Sequence, residues 1–179
     1  HIERLSESLR LFRSELPTEV ALERAIAETL AANELTDAAV RVSVSPGVGL
    51  RPVLPASGPA RVMITADPIG DRRPRGRLWI CESVRLDSTR PWRGAKVGQF
   101  APYLLARLEA EDQGADDGVL LNERSHLVEA STANLFLSLH GALITPPLDD
   151  GPLPGVTRAC VIELASIRGI PVREASLSV

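Results

Sequence analysis

Apolar residues in the first third of the chain follow a helical period and then a strand period. From Ile2 to Leu16 they recur at spacings of three and four, which predicts an amphipathic helix ended by Pro17. Valines at every second position then alternate with polar residues and predict a half-buried strand. The elements predicted here after the first helix are a helix over about 19–33 and strands over 40–45 and 61–65.

Beyond residue 77 the pattern predicts short strands separated by two longer helices. The helices are predicted over 97–113 and 156–168, and Gly169 stops the second of them. His140 and Gly141 form a two-residue turn signal between two apolar runs, which indicates a hairpin. The strands predicted in this part are 78–86, 119–122, 127–129, 134–139, 142–145 and 172–176.

Residues 67–76 combine proline, glycine and several charges in a short span. Such a composition favours a linker over a regular element. We therefore expect two α/β lobes, residues 1–70 and residues 77–179, joined by this segment.

The composition argues against nucleic-acid-binding, membrane and metal-binding proteins. With 179 residues, 44% hydrophobic content and a net charge of -3, the chain offers no electrostatic case for a nucleic-acid or anionic-membrane partner. No apolar run reaches the length of a membrane span, and the first residues lack a signal-peptide layout. Cys81 and Cys160 are too far apart for a CxxC motif, and the histidines share no metal-binding spacing. We expect a cytoplasmic protein without a metal site.

Lys96 is the single lysine beside 19 arginines, a total of 20 basic residues. A lysine amine can lose its proton and attack a carbonyl, whereas an arginine guanidinium stays charged. The chemistry that needs such an amine is a Schiff base, and pyridoxal phosphate (PLP) is the leading aldehyde. A single solvated lysine surviving in an arginine-biased sequence is the alternative.

Two other segments carry candidate binding groups, each with an ordinary alternative. Gly155, Val156 and Thr157 open a predicted helix whose free amides and hydroxyl suit a phosphate, although any capped helix looks similar. Glu129 lies on an otherwise apolar strand, so its carboxylate needs a cation such as a pyridinium nitrogen or an arginine at the rim. Arg51 is a candidate for binding a carboxylate, and Arg4 reads as solvated on spacing alone.

Read together, these segments resemble the class-IV (fold-type IV) PLP-dependent aminotransferases, which include branched-chain and D-amino-acid aminotransferases and 4-amino-4-deoxychorismate lyase. Three stretches carry the resemblance along nearly the whole chain. They are residues 1–5 (HIERL), residues 95–116 around Lys96, and residues 121–158, where LNERSHLVEASTANLF leads to GALITPPL and LPGVTR.

The resemblance implies a role for each matching residue. Lys96 forms the Schiff base and moves the proton between the substrate and the cofactor, and Glu129 holds the pyridine nitrogen. Arg51 matches a substrate-binding arginine of the D-amino-acid and deoxychorismate members. The residues that the resemblance places at the rest of the cofactor are Arg4, Val156 and Thr157 at the phosphate, with Ser131 and Thr132 lining the site.

The sequence also departs from the subgroups of this family. Ala101 stands where branched-chain members carry a tyrosine, and Val53 stands where the D-amino-acid pattern has a histidine. The opening strands and the C-terminal portion of the family are also missing, so we expect both lobes to be incomplete.

The resemblance implies a homodimer that transfers an amino group between an amino acid and a 2-oxo acid. The alternative of the same family is the lyase reaction, in which 4-amino-4-deoxychorismate yields 4-aminobenzoate and pyruvate. A binding protein that keeps the fold without turnover is the alternative from another class.

Overall fold

The computed structural model of the protein describes residues 1–45, 60–70 and 76–179. The chain forms two compact units, Ile2–Arg73 and Pro74–Val179. The division lies inside the segment predicted as a linker, although the first two residues of that segment belong to a strand. Within the described residues, no helix combines the length and the apolar character needed to span a membrane.

In its described residues, the first unit contains two helices and a two-stranded antiparallel sheet. Its elements are α1 (Ile2–Leu11), α2 (Glu19–Ala32), β1 (Ala38–Ser45) and β2 (Arg61–Pro68). The register of the sheet runs from Ala38 opposite Pro68 to Ser45 opposite Arg61. Both strands and α2 agree with the sequence patterns to within a few residues.

The prediction that the first helix extends to Pro17 is wrong. Helix α1 ends at Leu11 because Arg13 adopts a positive φ of 53°. The Ser14 amide then donates to the Leu9 carbonyl at 3.0 Å, and the Arg13 amide donates to the Arg10 carbonyl at 3.0 Å. This pair of bonds is a Schellman motif, which satisfies the last carbonyls and ends a helix without proline.

From residue 76 onwards, the second unit contains two three-stranded sheets and two crossover helices. Its first sheet has the order β3-β4-β5, and its second has the order β6-β7-β8. Helix α3 connects the parallel strands β3 and β4, and helix α4 connects the parallel strands β7 and β8. The elements are β3 (Leu78–Leu86), α3 (Ala101–Asp112), β4 (Asp117–Asn122), β5 (Leu127–Ala130), β6 (Leu137–Leu139), β7 (Ala142–Thr145), a 3-10 turn (Leu148–Asp150), α4 (Val156–Ile167) and β8 (Val172–Glu174).

Several predicted boundaries in this unit are confirmed and others are wrong. Strands β3 and β7 have their predicted ends, the His140-Gly141 turn closes a hairpin, and Gly169 follows α4 with a φ of 66°. Helix α3 begins at Ala101 instead of residue 97. A helix starting at 97 would place Pro102 in its interior, whereas the observed start places it in the first turn, where proline is tolerated.

The shorter strands also differ from prediction at their ends. Strand β4 begins two residues early at Asp117, β5 extends to Ala130, and β8 ends at Glu174. Strand β6 begins at Leu137 instead of residue 134, because Asn134 pairs with Glu129 in an isolated bridge and its side chain makes two hydrogen bonds.

Close packing of α3 against the first sheet fixes the elements around the candidate site. The core here contains Cys81, Leu86, Ala106, Leu120 and Val128, with Tyr103 packed at its edge. Gly118 permits this approach, since a Cβ there would lie 2.4 Å from the Ala106 oxygen and 2.6 Å from the Cys81 sulfur.

Replacing Gly118 with alanine is therefore expected to lower the free energy of unfolding by about 1–3 kcal/mol, because the helix must move away from the strand. Denaturant unfolding of the intact protein measures the change. Gly98→Ala is the matched control, since a Cβ there meets nothing within 4 Å. Equal stability of the two variants would show that α3 does not need the close approach.

Candidate functional site

Glu129 is a charged residue buried at the centre of strand β5. Leu120 of β4 pairs with Glu129 and Leu121 pairs with Leu127, so Val128 is an extra residue that forms a β-bulge. A bulge redirects the neighbouring side chains and is common beside functional sites. Glu129 keeps only 5% of its surface exposed.

Three donors converge on the Glu129 carboxylate. The Tyr103 hydroxyl donates to Oε1 at 3.0 Å, the Leu153 amide donates to Oε2 at 2.9 Å, and the Asn134 side-chain amide donates to Oε2 at 3.3 Å. Burial raises the pKa of Glu129, while the Leu153 and Tyr103 hydrogen bonds and the positive charge of Lys96 act in the opposite direction. Within the described residues, no ion pair joins an arginine to Glu129.

Lys96 lies in the loop between β3 and α3, with its side chain exposed. The loop turns through bonds from the Arg93 amide to the Arg90 carbonyl and from the Ala95 amide to the Trp92 carbonyl, both 3.0 Å. Because α3 starts at Ala101, Lys96 precedes the helix by five residues instead of lying at its entrance. Its positive charge acts on Glu129, where it lowers the pKa of the carboxyl against the effect of burial.

The start of helix α4 lies close to the same carboxylate. Gly155 is the N-cap residue and forms no side-chain cap, and Val156 and Thr157 contribute amides of the first turn. A Cβ on Gly155 would lie 1.9 Å from the Asn134 Oδ1 atom, so only glycine fits there. Asn134 also donates to the Leu153 carbonyl at 2.8 Å. This asparagine therefore joins Glu129 to the segment that enters α4.

A buried ionic cluster holds the preceding turn in place. Asp150 is 1% exposed, and its Oδ1 atom accepts from Arg124 at 2.9 Å and contacts the His126 ring at 3.0 Å. Arg93 reaches the Asp149 carbonyl at 2.7 Å, and Gly151 leaves the turn with a φ of 106°. Burial acts to raise the pKa of Asp150, but the bonds from His126 and from the Ser176 hydroxyl, together with nearby positive charge, lower it overall.

Comparison with known proteins shows the family to which the chain belongs. The sequence profile described as amino-transferase class IV matches residues 1–179. The branched-chain-amino-acid aminotransferase of Escherichia coli K12 is 31% identical over 189 residues, which cover 99% of this chain and 60% of that protein. The chain belongs to the class IV aminotransferase family.

Solved structures of this family share the fold. The Escherichia coli branched-chain enzyme superimposes with a TM-score of 0.86 at 31% identity, covering 99% of this chain and 60% of that one. A Legionella pneumophila protein provisionally named 4-amino-4-deoxychorismate lyase gives a TM-score of 0.89 at 26% identity and is covered to 66%. The expected mixed α/β, fold-type IV architecture is confirmed, and the chain spans about 60% of the length of the family members it matches.

One further class IV structure carries a ligand of direct interest. It is a T.th. branched-chain amino acid aminotransferase in complex with N-(5'-phosphopyridoxyl)-L-glutamate, with a TM-score of 0.83 and 30% identity. It is covered to 60% by this chain, of which 99% aligns.

The family resemblance also singled out Ser131, Thr132, Arg4 and Arg51. The hydroxyls of Ser131 and Thr132 both donate to Asp117, the second at 3.5 Å. Arg4 is half-buried on α1, in the first unit, and its carbonyl accepts from Ser8. Arg51 lies outside the described residues.

Three partners of Glu129 were not predicted as site residues. Tyr103 is not among the predicted site residues, although its being the single tyrosine of the sequence is a usable signal. Asn134 lay within the recognised motif without a role. Leu153 contributes a backbone amide, which no residue type reveals. In the part of the chain that the structure describes, no cluster of His, Cys, Asp or Glu side chains is arranged to hold a metal ion.

Replacing Asp150 with asparagine is expected to lower the free energy of unfolding at pH 7 by about 1–3 kcal/mol, because Arg124 and His126 lose a charged acceptor. The folded pKa of Asp150 is depressed, so its stabilisation is complete above the unfolded value of about 4 and disappears as pH falls through the folded value. Unfolding curves from pH 7 downwards measure this difference.

The control for that experiment is Asp149→Asn, since the Asp149 side chain is 95% exposed. Its effect on unfolding should be small at every pH. A difference between Asp150→Asn and the unmodified protein that stays constant down to strongly acidic pH would contradict the assignment.

Proposed function

We propose that the protein is a PLP-dependent aminotransferase in which the Lys96 amine forms the covalent link to the cofactor. The observation that carries this proposal is the placement of the chain's single lysine where its charge acts on the buried Glu129 carboxylate. An amine and a buried carboxylate acting on one site are the two groups that a pyridoxal aldehyde and its ring nitrogen require.

The donors and acceptors of the site fit PLP at both ends. Glu129 Oε1 accepts from Tyr103, and a carboxylate oxygen that accepts one such bond retains a lone pair for a ring N–H. Helix α4 is 12 residues long and begins without a side-chain cap, which leaves first-turn amides for a phosphate. Asn134 and the Leu153 amide tie these two ends together. When bound, PLP supplies an aldehyde for amines and a ring that accepts electrons from the substrate's alpha carbon.

The chain's own residues then move protons and hold charge. Lys96 Nζ would move the proton between the substrate's alpha carbon and the cofactor, which its exposed position on a loop permits. Glu129 keeps the ring nitrogen protonated by pairing with it. The Val156 and Thr157 amides and the Thr157 hydroxyl bind the phosphate. Arg4, Ser131 and Thr132 are proposed as further cofactor contacts, and Arg51 as the substrate carboxylate partner.

Replacing Lys96 with arginine keeps the positive charge but removes the titratable amine. We expect kcat for amino transfer from a branched-chain amino acid to 2-oxoglutarate to fall by about 10²–10⁴-fold in the intact protein. Lys96→Ala should recover part of this loss when methylamine is added, because a free amine can replace the missing base. Unchanged turnover in Lys96→Arg would rule out the proposed role.

The lyase reaction on 4-amino-4-deoxychorismate is the second candidate. The Legionella pneumophila structure has a higher TM-score than the Escherichia coli enzyme, 0.89 against 0.86, although its identity is lower. In addition, Ala101 replaces the tyrosine of branched-chain members, and Arg51 matches the deoxychorismate members.

Product analysis on one enzyme preparation separates the two reactions. Amino transfer is expected to produce glutamate from 2-oxoglutarate without release of pyruvate from aminodeoxychorismate. Pyruvate and 4-aminobenzoate in equal amounts would instead establish the lyase. Absence of both activities in a protein that takes up PLP would favour the non-catalytic binding protein.

The proposal also covers the oligomeric state, the cellular location and the binding partners of the protein. We propose a cytoplasmic homodimer that binds a small amino acid and oxo acid, with no nucleic-acid or membrane partner. Light scattering of the intact protein should give twice the mass of one chain.

A further inference from the structure

Tyr103 is placed to act on Glu129 from the helix side of the site. It lies in the first turn of α3, packs against the core formed by Cys81, Leu86 and Ala106, and points its hydroxyl at Glu129 Oε1, 3.0 Å away. The packing of α3 on Gly118 fixes the position of this turn relative to the sheet. The phenol is therefore held by the core.

The two oxygens of Glu129 are bound by different parts of the fold. Oε2 accepts from the Leu153 amide and from Asn134, both on the side of the segment that enters α4. Among the described residues, Tyr103 is the donor to Oε1. Losing the phenol would leave Oε1 without that donor, while Oε2 would keep both of its own.

The Tyr103 phenol remains a donor across the working range of pH. Burial and the Glu129 carboxylate raise the pKa of Tyr103 well above its ordinary value, with Arg90 acting in the opposite direction. A phenol that stays protonated favours the ionised form of the carboxylate that it binds. For Glu129, burial raises the pKa, and the Leu153 amide, the Tyr103 bond and the Lys96 charge all oppose that effect.

We infer that Tyr103 is a positioning residue for the reaction, whose hydroxyl holds Glu129 Oε1 so that the carboxylate stays ionised and fixed for the ring nitrogen of the cofactor. The inference rests on the proposed function, because the ring nitrogen is the group that needs this carboxylate. Tyr103 itself touches neither substrate nor cofactor in this assignment. It acts through Glu129.

The contact can be tested without cofactor, because Tyr103 is the single tyrosine of the sequence. Biosynthetic 3-fluorotyrosine places one fluorine label at this position, and ¹⁹F NMR then follows the ionisation of that phenol alone. Glu129→Gln keeps the size of the side chain but removes its charge. We expect the pKa of the labelled phenol to fall in this variant, because the negative charge beside it is lost.

The matched control is Glu111→Gln, which removes the same charge from an exposed position on α3. Glu111 pairs with Arg107 at 3.0 Å on the surface, so its loss should leave the phenol's ionisation unchanged. Equal titration curves for Glu129→Gln and Glu111→Gln would overturn the inference.

The loaded enzyme tests the consequence for the reaction. Tyr103→Phe should lower kcat roughly tenfold, as expected for a lost hydrogen bond to a charged group, with less change in KM. The acidic limb of the kcat profile should move to higher pH, because Glu129 loses a donor to its ionised form. Loss of packing alone would lower the melting temperature without moving that limb.

The outcomes separate the inference from the proposed function. A kcat and pH profile in Tyr103→Phe equal to those of the unmodified protein would overturn the role of Tyr103 while leaving PLP chemistry intact. If the fluorine titration responds to Glu129→Gln but the unmodified protein takes up no PLP, the proposed function fails, and the role of Tyr103 fails with it.

Discussion

A carboxylate buried to 5% exposure must be satisfied by hydrogen bonds or charge, and Glu129 is such a carboxylate. Its donors come from three parts of the chain: helix α3, the residues just after β5 and the segment before α4. Each hydrogen bond constrains the part of the chain that carries the donor. The carboxylate therefore links these three parts of the second unit to strand β5. The bulge at Val128 is the local distortion associated with this arrangement.

The same contacts link the two ends of the proposed cofactor site. The Leu153 amide binds Glu129, and two residues further along the chain Gly155 begins α4. Asn134 contacts both positions, and its side chain occupies the space that any Cβ at residue 155 would need. The separation between the carboxylate and the helix start is thus set by covalent chain length and one asparagine. The Asp150 cluster holds the turn before this segment from the other side.

Much of this fold could be predicted from the sequence, because its apolar pattern and turn residues agree with the observed elements. The hairpin at His140-Gly141 and the end of α4 at Gly169 are examples in which local preference and tertiary structure coincide. The end of α1 could not be predicted, since Arg13 takes a left-handed conformation that few non-glycine residues adopt. The start of α3 was predictable in principle, because Pro102 cannot occupy a helix interior.

The candidate site also contains residues that the sequence could reveal and contacts that it could not. Lys96 and Glu129 could be singled out because each is unusual for its setting, one as the single lysine and the other as a charge on an apolar strand. The Leu153 amide and the Tyr103 hydroxyl depend on the bulge and on the packing of α3, which arise only when distant segments meet. Family resemblance supplied roles for residues, but it did not supply these contacts.

The central claim is that the amine at position 96 bonds to PLP. Borohydride reduction of the intact protein after incubation with PLP, followed by peptide mass mapping, tests it directly, because reduction makes a bond between an amine and an aldehyde permanent. We expect one phosphopyridoxyl group per chain, on the peptide that contains Lys96. An unmodified Lys96 peptide from protein that had turned yellow would contradict this claim.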